Sequence, residues 1–299
     1  MRHMEEKRKY ILDTDIGGDC DDCGALAMLC RRAKEETIDL CGVTVCTSEL
    51  SGAYTAYAIL DWYGLADRVP VARTARDGYK NANYSIPVME HWLKKHGEQA
   101  DENKFGDALT LLRRLLADNR DVTLIFIGHQ NNMEDLLRSE PDEISSLDGS
   151  ALVKQSVREV VIMGGNFHNR HILEWNIRCD LPAAAYTAQH CPVPLVYCGF
   201  EAGEHVFSGA SLADASEDNP VRLAYWYWAG GKQSRRESWD PVTVYYALEP
   251  DDPLWQISDD CAVRFEGENT VVLEGKGARY IRYADERKLE GILEDMIRE

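Results

Sequence analysis

Short apolar, β-branched runs alternate with helical patterns along most of this chain. Runs near 9–14, 38–46, 69–73, 122–128, 157–163 and 193–198 read as strands. Stretches near 22–34, 50–63, 105–118 and 180–189 repeat their apolar positions at helical spacing. Strands that are apolar throughout and separated by helices predict an α/β fold: a doubly wound, mostly parallel sheet with helices on both faces. The 299 residues are expected to form a single domain, 1–299. From about Thr74 to Lys104 the chain turns polar, with Asn, Gly and Tyr, and is too long for an idle connection, so it reads as a lid or binding loop. CAVRFEGENTVVLEGKG alternates like a hairpin turning at Gly267–Asn269, and Asp285 to Glu299 reads as a closing helix.

One junction breaks this regular rhythm. In ILDTDIGGDCDDCGALAML, a buried-type strand gives way to a helix with Ala25, Leu26, Met28 and Leu29 on one apolar face. Between them stand Asp13, Asp15, Asp19, Asp21 and Asp22, five carboxylates within ten residues. Ionised at contact distance they repel, so each must face water, hold a proton, or share a hard cation. Capping of the helix N-terminus accounts for one or two of them, not five. Their place is the C-terminal edge of a strand, where open α/β sheets bind ligands. An EF-hand register starting at Asp13 would put Gly17 and Gly24 at ligand positions and fails. A phosphatase with an aspartate nucleophile also opens on Asp-x-Asp, but its usual continuation is not Ile-Gly-Gly-Asp.

Composition narrows the partners. The balance of 33 basic against 51 acidic residues, net −18, disfavours nucleic-acid polymers and anionic membranes and favours a small uncharged or cationic ligand. The nine cysteines are scattered, several within strand-like runs (Cys41, Cys46, Cys198), and read as reduced residues of a cytoplasmic protein. MRHMEEKRKY lacks the apolar segment of a signal peptide, and no later run approaches bilayer-spanning length.

Two further stretches carry polar residues at strand or helix ends. VREVVIMGGNFHNRHILEWNIRCD runs from a strand into a loop with Glu174, Asn176 and Asp180, types that more often serve as turns and caps. SWDPVTVYYAL places Asp240 before a proline at a helix start, where an ordinary N-cap is the simplest reading.

Taken together and in this order, the pieces resemble the inosine–uridine-type nucleoside hydrolase family over most of the chain. The matches are Asp13, Asp15, Gly17, Asp21 and Asp22 in the opening signature, Met163-Gly164-Gly165 with Glu174-Trp175-Asn176 in the middle, and GFEAGEHVFSG with SWDPVTVYYAL later. The resemblance implies calcium-dependent hydrolysis of the N-glycosidic bond of ribonucleosides to free base and ribose, by a homodimer or homotetramer. It implies that Asp15 binds Ca²⁺ and takes the proton of the attacking water. Asp22 and Asp240 would add carboxylate ligands, and Ile127 a backbone carbonyl. Asp21, Glu174 and Asn176 would contact the ribose hydroxyls, with Asn166 or Asn169 as a further contact.

The chain also departs from the family pattern. Two extra residues before the Asp-Asp pair let Asp19 compete with Asp21 and Asp22 for sugar and metal, although the following helix favours the latter two. Thr47 or Ser48 stands where many members carry an Asn. Trp239 replaces the His that serves pyrimidine-accepting members as leaving-group acid, which implies purine preference through stacking on the base. Trp239 as a packed core aromatic is the alternative, and His129, His168, His171 and His205 are other possible acids. A non-catalytic nucleoside- or ribose-binding protein remains the rival of a different class.

Overall fold

The computed structural model describes residues 7–78 and 80–298; the hexapeptide that opens the charged N-terminal segment lies outside them, as do Tyr79 and Glu299. Seven strands form its parallel body: β1 (Arg8–Thr14), β2 (Ile38–Val45), β3 (Val71–Arg73), β4 (Gly106–Asp107), β5 (Val122–Phe126), β6 (Val157–Met163) and β7 (Leu195–Cys198). All five residues of β5 and the last five of β1 are buried, as continuous apolar strands covered on both faces must be. A short ribbon pairs β8 (Phe207–Ser208) with β9 (Arg236–Glu237). The late strands are β10 (Trp255–Ile257), β11 (Cys261–Glu266), β12 (Asn269–Glu274) and β13 (Ala278–Ala284).

The main sheet runs β12-β11-β13-β7-β6-β5-β1-β2-β3-β4, with β10 paired to β13. Pairing is parallel from β13 through β4, whereas β10, β11 and β12 join antiparallel. Successive strands β2, β3 and β4 are laid on one side of β1, and β5, β6 and β7 on the other. The winding therefore reverses between β1 and β5, and a crevice opens beyond their C-terminal ends. There the amide of Ile127 donates to the Asp13 carbonyl at 2.9 Å, holding the two strand ends together.

Helices cover both faces. One layer includes Asp21–Lys34, Leu50–Trp62, Ser85–His96, Pro220–Trp228, Trp239–Leu248 and Glu286–Ile297; the other includes Ala108–Asp118, Asn131–Arg138, Gly149–Ser156 and Leu181–His190. Asp21–Lys34 differs from the one-sided helix expected, because every residue from Asp21 to Cys30 is buried. Helices Leu50–Trp62, Pro220–Trp228, Trp239–Leu248 and Glu286–Ile297 all pack on it. Gly24 permits this: a Cβ there would lie 2.8 Å from the Tyr225 hydroxyl and 3.0 Å from Ile297.

The 74–104 segment is not a loop throughout. Ser85–His96 forms a helix of twelve residues that ends on Gly97 at φ 67°, and it packs on Leu50–Trp62. The expected helix 105–118 starts later, at Ala108, because Asp107 accepts a hydrogen bond from Thr110 N at 2.8 Å and caps it. The hairpin forms as expected, with Glu266 opposite Asn269, and the closing helix spans Glu286–Ile297. None of the helices is long and apolar enough to cross a membrane among the described residues.

Candidate active site

Three elements bring carboxylates to the crevice. The turn after β1 carries Asp15 and Asp19, the first turn of helix Asp21–Lys34 carries Asp21 and Asp22, and the first turn of Trp239–Leu248 carries Asp240. Asp240 is not the N-cap expected from its proline, since Ser238 holds that position and Asp240 sits one residue inside the helix. Its carboxylate is thereby free to meet Asp21 and Asp22, and one oxygen from each of the three lies within 4.8 Å of the others. All are buried, with 2, 2 and 5 % of their surface exposed. The Asp240 amide donates to Asp21 Oδ2 at 3.1 Å, and the Thr14 hydroxyl donates to Asp22.

The cleft around this trio has a volume of about 360 Å³. Asp15, Ile127, Glu174, Asn176 and Trp239 line it, as the sequence anticipated. Asp15 faces the same space but does not join the converging trio, while Asp21, expected at the sugar, does. Asp19 also lines the cleft, yet its carboxylate accepts from Arg236 Nε at 2.8 and 3.0 Å and from Nη2 at 2.6 Å. Asp13 stays beneath, 1 % exposed, held by Thr44 Oγ1 at 2.5 Å and Asn132 Nδ2 at 2.6 Å.

On the opposite wall Glu174 is the N-cap of the short helix Trp175–Cys179, accepting from the amides of Asn176 (2.8 Å) and Ile177 (3.1 Å). Glu174 thus caps this helix, as the turn-and-cap reading expected, and at the same time lines the cleft. Asn176 donates through Nδ2 to the Ile127 carbonyl at 3.1 Å, which leaves its amide oxygen as an acceptor. Asn166 is displaced from its expected place: it lines a neighbouring cavity, and its Oδ1 accepts from Asn169 N at 2.7 Å, closing a local turn. Trp239 is half-buried, its Nε1 donating to the Phe200 carbonyl at 2.7 Å, and its ring stacks on Phe200 with centroids 5.5 Å apart.

Among the described residues no histidine and no lysine lines this cleft. His129 lies buried with Nε2 3.6 Å from Asp15 Oδ2, and burial pulls its pKa down to about 4, so its ring is neutral. His168 and His171 bond to the Arg282 carbonyl and to Asn269. An aspartate-nucleophile phosphatase would also need a lysine beside its first Asp, and among the described residues none lines this cleft.

Arg236, Asn81 and Phe200 were not singled out from the sequence. Arg236 is the cation of the cleft wall, gripped by Asp19 and by Glu237 and lying 4.8 Å from the Trp228 ring centroid and 4.9 Å from that of Trp239. Its position three residues before Trp239 was the available signal, but QSRRES reads as a solvated charged turn.

Burial raises the pKa of Asp15 and Glu174 to about 7, with the charge of Asp19 adding to the first and that of Asp15 to the second. Asp21, Asp22 and Asp240 rise as well, through burial first and their neighbours' charges next. Such a set is costly to ionise without a cation, and Arg236 is committed elsewhere. The converging donors are all hard oxygens, with no thiol or imidazole among them, a set that suits calcium or magnesium better than zinc.

A family model described as inosine-uridine preferring nucleoside hydrolase matches residues 10–289. Among solved structures, one described as an inosine-guanosine nucleoside hydrolase superposes with a TM-score of 0.72 at 17 % identity, covering 98 % of this chain and 99 % of that one. The type III effector protein XopQ, solved with adenosine diphosphate ribose, gives 0.70 at 17 % identity over 98 % and 94 % of the two chains. The effector protein XOO4466 gives 0.69 at 17 % over 98 % and 93 %. No curated protein matches by sequence. The structural likenesses establish the shared α/β fold, and the family match runs from β1 into the last helix with every residue of the carboxylate cleft inside it: the chain belongs to the inosine-uridine preferring nucleoside hydrolase family.

Proposed function

We propose that this N-ribohydrolase is calcium-dependent and hydrolyses purine ribonucleosides in preference to pyrimidine ones. The observation that carries the reading is the buried trio Asp21, Asp22 and Asp240 on the floor of a cleft that Asp15, Glu174, Asn176 and Trp239 also line. The trio, with Asp15 and the Ile127 carbonyl beside it, would hold the ion. When bound, calcium polarises a water molecule and orders the vicinal hydroxyls of the ribose.

The residues of the chain do the rest. Asp15 takes a proton from the attacking water as its oxygen bonds to C1′. The C1′–N bond breaks with its electron pair leaving on the base, and the sugar passes through an oxocarbenium-like state. Carboxylates on one wall and the Asn176 and Glu174 oxygens on the other stabilise that positive charge. Asp21, Glu174 and Asn176 contact the ribose hydroxyls; Asp19, held by Arg236, shapes the rim. The Trp239 N–H is spent on the Phe200 carbonyl, so the indole offers the base a face and not a proton. A purine protonated by solvent at N7 gains about 0.5–2 kcal/mol from such a face, and uracil has no comparably basic site.

A homodimer or homotetramer in the cytoplasm completes the reading, supported by the family and by nine cysteines that are all free thiols. Metal analysis of protein purified without chelator should find about one calcium per chain. Steady-state rates should favour inosine and guanosine over uridine. Zinc in place of calcium, or no divalent ion even with ribose added, overturns the metal assignment; uridine turned over as fast as inosine overturns the purine preference.

A further inference from the structure

Asp19 stands two residues ahead of the Asp21–Asp22 pair and lines the same cleft as the trio. After burial, its charge is among those that raise the pKa of Asp15, Asp21, Asp22 and Asp240. It has the chemistry of a further ligand, yet both of its oxygens are taken by other partners. Oδ1 accepts from Arg236 Nε and from the Cys20 amide, each at 2.8 Å, and Oδ2 accepts from Arg236 Nε at 3.0 Å and Nη2 at 2.6 Å. The arginine is itself braced. It lies on the β8–β9 ribbon opposite Ser208, and its Nη1 donates to Glu237. Its guanidinium is 4.8 Å from the Trp228 ring centroid and 4.9 Å from that of Trp239. A bidentate pair braced on aromatic rings holds better than an ordinary surface ion pair, in which two mobile side chains must be ordered.

The number of ligands an ion accepts makes this engagement matter. On the metal reading proposed above, on which this step rests, Asp15, Asp21, Asp22, Asp240 and the Ile127 carbonyl bring the protein's donor groups to five. Calcium takes about 6–8 oxygen ligands, so with one oxygen from each group about one to three places remain. The attacking water and the two vicinal hydroxyls need all three. A sixth protein group would leave at most about two. We infer that Arg236 is a positioning residue that withholds Asp19 from the ion and so keeps open the places that water and ribose must take.

The test titrates calcium into chelator-stripped wild type, Arg236→Met, Asp19→Asn and the double variant. In parallel, the waters on a bound terbium ion, a stand-in for calcium, are counted from its luminescence lifetime in light and heavy water. Arg236→Met keeps an apolar stem beside the two indoles and loses every donor. It should bind calcium about tenfold tighter, as a site with one more charged ligand does, and carry about one water fewer. Its kcat/KM for inosine should fall by about tenfold or more. The double variant should regain the wild-type water count, Asp19→Asn alone should keep it, and Arg236→Lys, which still offers Asp19 a cation, should stay near it. Loss of a residue that only supports the site has the opposite sign, weaker metal binding. Arg236→Met that binds calcium more weakly, or more tightly with no water lost, overturns the inference, as does a double variant that stays dehydrated. Where methionine does not fold, Arg236→Gln is read in its place. If the wild type binds calcium in those cases, only this inference falls. If the wild type binds no divalent ion at all, the metal reading falls and takes the role of Arg236 with it.

Discussion

Asp13 and Asp15 stand two residues apart at one strand end, and their surroundings separate them. Asp13 is sealed under the cleft by Thr44 and Asn132, whereas Asp15 borders open space beside the carboxylate trio. Asp15→Asn should therefore lower kcat for inosine by about 10³-fold, because an amide cannot take the water's proton. Its melting temperature should stay within a few degrees of wild type, and binding of a slow substrate should persist. Near-wild-type turnover by this variant would remove Asp15 from the base role. At this scale the position of a residue was readable where its type and order sufficed: Asp22, Glu174, Asn176 and Asp240 do line one cleft. It was unreadable where a contact between distant residues decides the outcome. Asp19 looks like one more ligand until Arg236, 217 positions later, occupies its carboxylate. Asn166 looks like a sugar contact until its own loop consumes its side-chain oxygen.

Elements were legible in proportion to the strength of their pattern. β1, β5 and β6 are apolar runs with abrupt ends, and their positions could be read to within a residue or two. The helix Ser85–His96 was hidden by Pro87 in its first turn and by polar neighbours on either side, although proline there costs no hydrogen bond. Asn131–Arg138 and Gly149–Ser156 are eight residues each, too short for a helical repeat to stand out. The short helix Phe200–Gly203 bears on the site twice, through Phe200 in the cleft wall and through the glycine that ends it. A Cβ on Gly203 would fall 2.5 Å from Trp239 Cα and 2.7 Å from its backbone nitrogen. Gly203→Ala must push the start of helix Trp239–Leu248, carrying Trp239 and Asp240 with it. We expect a stability loss of about 1–3 kcal/mol and, in a calcium titration, affinity weakened by about tenfold or more. Unchanged calcium affinity would mean that the backbone yields elsewhere.

For the molecule as a whole, the site is a junction between remote parts of the chain. Asp21 and Asp22 belong to the first helix and Asp240 to the last quarter, so an ion bound among them links both to the folded state and not to the unfolded one. Calcium at a hundredfold excess over its Kd should add about 2.7 kcal/mol, seen as a rise in Tm on the order of 4 °C for a chain of this length that chelator reverses. A Tm indifferent to calcium and chelator would sever the trio from metal binding. The Asp19–Arg236 grip joins the same remote parts by a second route, from the turn after β1 to the β8–β9 ribbon. Its consequence lies in the order of synthesis. While the ribosome has yet to deliver residue 240 of 299, the early acidic turn lacks both the third carboxylate and, until residue 236 is made, its arginine clasp. On the metal reading proposed above, chains that end before Asp240 would not retain an ion, and the cleft would be complete only once that late helix has joined the first one.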